Sequence, residues 1–246
     1  MKLSNKTILI TGASKGLGRE IAIRLGKTTP NLILVARSKN LLTQVQTEIL
    51  NLTSNAPFII QCNISNEYEI QTAFDLIQQK FDHIDVLINN AGIGIFKLLE
   101  EITNNEMRKQ FELNFFGVFY CIKALLPLIK RSNSGYILNI GSILGEIPFA
   151  RTSVYSATKS ALSGFTEGLY YEMKKYSIKT GVFLPGPMAT SFHNTDKENK
   201  FKAPAFLILN PKKAAAVIEK MIEKRKKNVF MYKWIVFFMK IKQLFG

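Results

Sequence analysis

"TGASKGLGREIAIRLG", residues 11–26, is a glycine-rich turn running into a helix-patterned stretch, and it follows directly on the apolar run "KTILIT". A glycine triplet alone marks many ordinary turns, so its meaning depends on its surroundings. Seven short runs recur along the chain: "KTILIT", "NLILVA", "PFIIQC", "DVLINN", "GYILNI", "KTGVFL" and "NVFMY". Each carries Val, Ile, Leu or Phe at successive rather than alternate positions, the pattern of strands buried on both faces. Amphipathic segments over residues 17–27, 38–51, 66–80, 103–130, 153–176 and 211–225 separate them. Strand then helix, repeated six times, predicts an α/β, doubly wound three-layer sandwich with a mainly parallel sheet.

No Pro/Gly/Ser-rich linker, repeat or low-complexity block interrupts the 246 residues, and 47% of them are hydrophobic. One domain over residues 1–232 is expected, followed by a tail over 233–246. The apolar run near the N-terminus is too short for a signal peptide, and Cys62 and Cys121 have no metal-ligand or disulfide-framework spacing. A cytoplasmic protein with reduced core cysteines and no metal site is the expectation. The net charge of +15 is uneven: residues 1–196 carry 20 Lys/Arg against 15 Asp/Glu, and residues 197–246 carry 13 against 3. Such basicity suits an anionic partner or a solvated lysine face, but no helix-turn-helix, zinc or RNA-reading motif accompanies it, so nucleic acid is not an expected partner.

Placed after the first strand, the glycine turn takes on a function. Gly12, Gly16 and Gly18 remove Cβ atoms where a tight turn, an approaching pyrophosphate and a helix–sheet contact would otherwise clash. Free N–H groups at the helix start then face phosphate. The second strand ends "LILVARS", where an acidic residue would select the 2′-OH of NAD; Ala36 and Arg37 stand there instead, with Lys15 in the turn. Two cations at that spot suit a 2′-phosphate, so NADP(H) is the expected cofactor.

The stretch "SGYILNIGSILGEIPFARTSVYSATK" holds Ser142, Tyr155 and Lys159. Tyr155 and Lys159 are four apart and share a helix face. A tyrosine with a pKa near ~10 is too weak an acid–base group at neutral pH, and an adjacent ammonium is expected to lower it. Ser142, at the end of the fifth strand, is placed to hydrogen-bond a substrate carbonyl.

Taken together, "TGASKGLG", "NNAG" at 89–92, Asn114, Ser142, "YSATK" at 155–159 and "PGPMAT" at 185–190 resemble the short-chain dehydrogenase/reductase family over nearly the whole chain. The resemblance implies a Rossmann-type sheet, usually of seven strands, and hydride transfer between a nicotinamide and a carbonyl or alcohol. It implies Tyr155 as general acid, Ser142 polarising the carbonyl, Lys159 binding the nicotinamide ribose and tuning Tyr155, and Asn114 holding a relay water. It assigns the turn from Gly12 through Ser14, Lys15, Gly16 and Leu17 to Gly18 to the pyrophosphate. Asn90 and Gly92 border the adenosine, and Pro185, Gly186 and Thr190 border the nicotinamide. One departure is Asn63, beside Ile64, where the family commonly has an aspartate facing adenine; an amide oxygen still accepts that bond. A homo-oligomer, dimer or tetramer, is also implied.

Residues 143–151 and 188–208 are expected to line the substrate pocket, and the apolar character of the first points to an acyl- or lipid-like ketone or aldehyde. A non-catalytic NADPH-binding sensor is the alternative, though it has no need of the Asn114, Ser142, Tyr155 and Lys159 set. His83 and His193 lack triad or metal spacing, and Glu100–Glu101 reads as a solvated loop pair. In the tail, a helix would align Trp234, Phe238, Ile241 and Phe245, a run too short to span a bilayer. Two readings stand for it: weak peripheral contact with an anionic membrane face, or packing against its own chain or a partner subunit.

Overall fold

The computed structural model describes residues 1–28, 31–190, 192 and 207–232. Strands β1 (Thr7–Thr11), β2 (Asn31–Ala36), β3 (Phe58–Gln61), β4 (Val86–Asn89), β5 (Tyr136–Ile140), β6 (Lys179–Leu184) and β7 (Asn228–Phe230) form one sheet. Their order is β3-β2-β1-β4-β5-β6-β7, and every pair is parallel. The successive apolar residues divide between two cores by the two-residue period of a strand. Ile8, Ile10, Leu32, Leu34, Val86 and Ile88 meet α1 (Gly16–Gly26), α2 (Lys39–Thr53) and α7 (Pro211–Lys224). Leu9, Ile33, Val35, Leu87 and Ile137 meet α3 (Glu67–Lys80), α5 (Gly117–Lys130) and α6 (Ser153–Met173) on the other face. Each fully buried Leu or Ile contributes about 1.5–3 kcal/mol, so a charge at Leu87 or Leu9 would disrupt the sheet.

Helix starts are set by local chemistry. Ser38 accepts from Leu41 N, Asn66 from Tyr68 N and Glu69 N, and Asn210 from Lys212 N ahead of Pro211. A Thr103–Glu106 capping box opens α4 (Asn104–Phe111). Each such cap contributes about 1 kcal/mol. The helix expected over 103–130 is interrupted: a π-helical turn, Glu112–Phe116, joins α4 to α5 and contains the buried Asn114. Between the layers, Asn89 Nδ2 donates to Asn139 Oδ1 (2.8 Å) and Asn139 Nδ2 to Thr166 Oγ1 (2.8 Å), tying β4, β5 and α6 together without an apolar contact.

Below β4, Asp85 is a buried carboxylate that accepts from Thr7 N (2.9 Å), Ser132 Oγ (2.6 Å) and Lys6 Nζ (3.1 Å). Burial pushes its carboxyl up, but these hydrogen bonds outweigh it and hold the group below its ordinary value. His83 Nε2 lies 3.3 Å from Asp85 Oδ2. Glu101, expected to be merely solvated, pairs with Arg151 at 2.5 Å. Cys62 and Cys121 are both free and buried.

Candidate active site

The loops beyond the C-terminal ends of the strands enclose a cavity of about 780 Å³. It lies where the strand order reverses between β1 and β4, the place where open parallel sheets take their ligands. All of the site residues read from the sequence line it except Gly18 and Asn114, which stand directly behind its wall.

At one end is the glycine turn. Gly12 (φ +67°) and Gly16 (φ +53°) occupy the left-handed region that glycine enters without strain. A Cβ on Gly18 would fall 2.2 Å from Gly12 O and 2.4 Å from Asn90 Nδ2, so only glycine lets α1 begin flush against the end of β1. Asn90 Nδ2 donates to Thr11 O (3.0 Å) and Gly12 O (3.2 Å), and Thr11 Oγ1 accepts from Asn90 N and Ala91 N. The "NNAG" amides thus brace the turn. Lys15 precedes α1 without a side-chain cap, and the first turn contains no acid, so the positive end of the helix faces the cavity uncompensated.

Lys15 and Arg37 are exposed on the cavity rim, and neither makes an ion pair among the described residues. Asn63 Oδ1 accepts from Ser65 N at 3.3 Å, and a second lone pair remains on that oxygen. Beside it, burial and the Glu69 charge push the Cys62 thiol up to about 12, which makes it an unreactive wall residue.

At the other end, Tyr155 (5% exposed) and Lys159 (4% exposed) stand one turn apart on α6. Lys159 Nζ donates to Ile140 O (2.9 Å) and lies 5.9 Å from the centre of the Tyr155 ring. The expected lowering of the tyrosine is not found: burial pushes its hydroxyl up to about 12, against an opposing hydrogen bond from Ser142. Burial also pushes the Lys159 ammonium down to about 8. Both groups are enclosed by protein, so both charged forms lose hydration, and for Tyr155 this loss exceeds what the Ser142 hydrogen bond returns. Ser142 reaches Tyr155 because its Oγ accepts from Leu144 N (3.1 Å), opening a 3₁₀ turn, Ile143–Gly145, that packs on α6. A Cβ on Gly145 would fall 2.9 Å from the Lys159 carbonyl carbon, so glycine permits that approach.

Asn114 is a brace. Its Nδ2 donates to Ile93 O (2.9 Å) and Thr158 Oγ1 (3.0 Å), and its Oδ1 accepts from Ile93 N (2.9 Å). Gln110, one turn earlier, does the same for the next residue but one, accepting from Ile95 N at 3.0 Å. This pair zips the loop after β4 onto the helix and fixes Phe96, whose ring meets Tyr155 edge-on at 5.1 Å. Sequence reading missed Gln110 and Phe96; the available signal was the helical spacing of Gln110 and Asn114. Phe192 covers Tyr155 from another side at 6.0 Å. With Leu144, Ile147, Phe149, Met188 and Leu207, they make an apolar wall. His193 and residues 193–206 of the expected lid lie outside the described residues, as does the tail. No group of His, Cys, Asp and Glu suited to a metal occurs among the described residues.

The cavity fits a dinucleotide. The glycine cradle is space that any Cβ would fill, cations stand at one end, and Lys159 at the other has spent one of its three donors on Ile140.

The family model for short chain dehydrogenase matches residues 6–200. An uncharacterized oxidoreductase of Staphylococcus saprophyticus is 32% identical over 202 residues, covering 80% of this chain and 81% of its own. An alcohol dehydrogenase from the archaeon Thermococcus sibiricus, solved with 5-hydroxy-NADP, is 26% identical with a TM-score of 0.82, covering 92% of this chain and 95% of that one. A Burkholderia phymatum short chain dehydrogenase/reductase solved with NAD shares the fold at a TM-score of 0.88 and 19% identity, over 98% of this chain and 93% of that one. By the family match and these likenesses, the chain belongs to the short-chain dehydrogenase family, oxidoreductases that work with a nicotinamide cofactor.

Proposed function

We propose that the chain is an NADP(H)-dependent oxidoreductase acting on an apolar carbonyl or alcohol, acyl- or lipid-like, with Tyr155 as its general acid and base. The observation that carries this reading is the convergence of the Ser142 hydroxyl, the Tyr155 hydroxyl and the Lys159 ammonium in the same cavity as the glycine turn. The turn from Gly12 to Gly18 would hold the diphosphate and Lys15 with Arg37 the 2′-phosphate, a preference in keeping with the NADP analogue in the Thermococcus enzyme. Asn63 and Ile64 would meet the adenine, Asn90 and Gly92 the adenosine side, Lys159 the nicotinamide ribose, and Pro185, Gly186 and Thr190 the nicotinamide. Bound in this way, the cofactor supplies or accepts the hydride.

The chain's own residues manage the proton. With its hydroxyl raised to about 12, Tyr155 is protonated throughout the neutral range and suits the acid role in carbonyl reduction. Ser142 donates to the same carbonyl oxygen and then to the phenolate that Tyr155 becomes. Lys159, near 8, exchanges protons with solvent more readily and reprotonates Tyr155. With both Nδ2 donors of Asn114 engaged and its Oδ1 already accepting from Ile93 N, we assign any relay water to its main-chain carbonyl in the π-helical turn. The Phe96, Phe149 and Leu144 wall supports an apolar substrate.

A single domain over 1–232, a cytoplasmic location and a homo-oligomer belong to the same proposal; the exposed Phe116 and Phe119 supply apolar surface for a subunit contact. The tail keeps its two readings, weak anionic-membrane contact and packing against its own chain or a partner subunit, and vesicle co-sedimentation of Trp234→Ser with Phe238→Ser decides between them. The test of the central reading is NADPH and NADH consumption across a panel of apolar ketones and aldehydes. Turnover with NADPH supports it. Tight NADPH binding with no turnover on any member supports the sensor instead.

A further inference from the structure

Many of the chain's lysines lie away from the cofactor cavity, and the topology gathers several of the described ones at one edge of the sheet. In a parallel sheet, the residues leading into every strand share one edge, opposite the ligand edge. Lys179 opens β6, and Lys226 and Lys227 lead into β7. At the same edge Lys130 closes α5, and Lys174 and Lys175 follow α6.

Tyrosines join these cations into one surface. Lys130 Nζ lies 3.9 Å and Lys175 Nζ 5.1 Å from the centre of the Tyr176 ring. Lys227 Nζ lies 4.3 Å from the centre of the Tyr170 ring and 5.1 Å from that of Tyr171, and Lys174 Nζ lies 5.3 Å and 5.2 Å from the same two centres. Tyr171 is 58% exposed and Tyr176 37%. The carboxylates at this edge, Glu167 (paired with Lys227 at 2.5 Å) and the exposed Asp82, Glu172 and Glu223, are fewer than the six lysines. Hydrogen bonds from Lys130 and Lys175 hold the Tyr176 hydroxyl below its ordinary value.

We propose that this pole docks the protein on an anionic bilayer surface, with the tyrosines at headgroup level and the cofactor cavity facing away. Clusters of about four to eight basic residues attract anionic lipid, and tyrosine suits the boundary between apolar and wet layers. The chemistry of the surface favours a bilayer over nucleic acid. Base stacking competes for these rings with the protein's own ammoniums, which already lie 3.9–5.3 Å from their centres. Base reading favours the arginine fork, and the two arginines at this edge already donate to the backbone, Arg225 Nη2 to Gly135 O and Ser177 O (both 2.8 Å) and Arg131 Nη1 to Asp82 O (3.4 Å). Lysines, as point charges, match the diffuse field of a lipid surface.

This surface is independent of the tail. The chain leaves the described residues at Tyr232, whose hydroxyl donates to Leu207 O (3.0 Å) at the cavity end of the molecule.

The test is co-sedimentation of the full chain with phosphatidylcholine vesicles, with and without phosphatidylserine, at low and high salt. Binding is expected only with phosphatidylserine and is released by salt. Lys174→Gln, Lys175→Gln and Lys179→Gln together should weaken it on the order of a hundredfold, at ~1 kcal/mol per lysine. The three corresponding Lys→Arg changes should preserve it, because charge and not side-chain identity is at work. Thermal melts identify any variant that fails to fold, and Tyr171→Ser, a milder change, should weaken binding without altering net charge. Equal binding by the Gln variant and the parent overturns the proposal. So does binding abolished by Trp234→Ser with Phe238→Ser, or lysine-dependent binding to DNA in the absence of vesicle binding.

Discussion

Gly18→Ala is expected to damage both stability and cofactor binding, and the structure gives the size of the effect. The added Cβ would lie 2.2 Å from Gly12 O, about 1 Å inside any tolerable contact. It would also lie 2.4 Å from Asn90 Nδ2, so the amide must swing away and give up its bonds to Thr11 O and Gly12 O. Two hydrogen bonds contribute about 0.5–1.5 kcal/mol each, and overpacking costs about 1–3 kcal/mol. The total is about 2–6 kcal/mol, a fall in Tm of about 4–24 °C for a chain of this length. On the proposed binding of the diphosphate by the same turn, the NADPH Kd should rise at least about tenfold. The control is Gly164→Ala, at an exposed position of α6 with nothing within 4 Å of the new Cβ; it should stabilise by about 0.5–1 kcal/mol through helix propensity. Thermal unfolding and calorimetric titration report both. If Gly18→Ala melts with the parent and binds NADPH equally, the close approach of α1 to β1 is wrong.

Replacing Lys15 and Arg37 by alanine should weaken NADPH binding on the order of tenfold or more while NADH binding changes little; equal losses would assign the two cations elsewhere. Lys159 holds its proton below about 8, so NADPH affinity and reduction rate should fall as pH rises through that value. A flat profile across that range removes the ammonium from the mechanism. Asp85, held below its ordinary value in the fold, contributes stability that is present above pH ~3.9 and lost as pH falls through the folded value. Asp85→Asn should therefore cost about 1–3 kcal/mol at neutral pH and flatten the acid side of the stability profile, as read by denaturant titration.

The strands were legible because a parallel sheet buried on both faces leaves continuous apolar runs, as in "TILIT" and "NLILVA". The cofactor half was legible for the same reason: Gly12, Gly16 and Gly18 are demanded by backbone geometry, which residue type reports directly. What depended on tertiary burial was not legible. The direction of the Tyr155 shift follows from how much of the protein surrounds the phenol, and spacing to Lys159 says nothing about that. Phe96 reads as one more apolar loop residue until Gln110 and Asn114 pin its loop against Tyr155. The π-helical turn at Glu112–Phe116 lies within a smoothly amphipathic stretch that gave no sign of a break. Charge was legible in amount and in its C-terminal excess, but not in space: helix ends and strand starts gather Lys130, Lys174 and Lys179 at the same pole as Lys226.

The central claim is that Tyr155 supplies the proton in an NADPH-dependent reduction while taking little part in holding the dinucleotide. Tyr155→Phe tests it directly, because it removes one oxygen and leaves the ring packed against Phe96. The measurement pairs NADPH titration with NADPH consumption on the best substrate of the ketone and aldehyde panel, for parent and variant. The account predicts a nearly unchanged Kd and a turnover at least about 10²–10⁴-fold lower, the range of a general acid. Turnover in Tyr155→Phe equal to the parent's would contradict it.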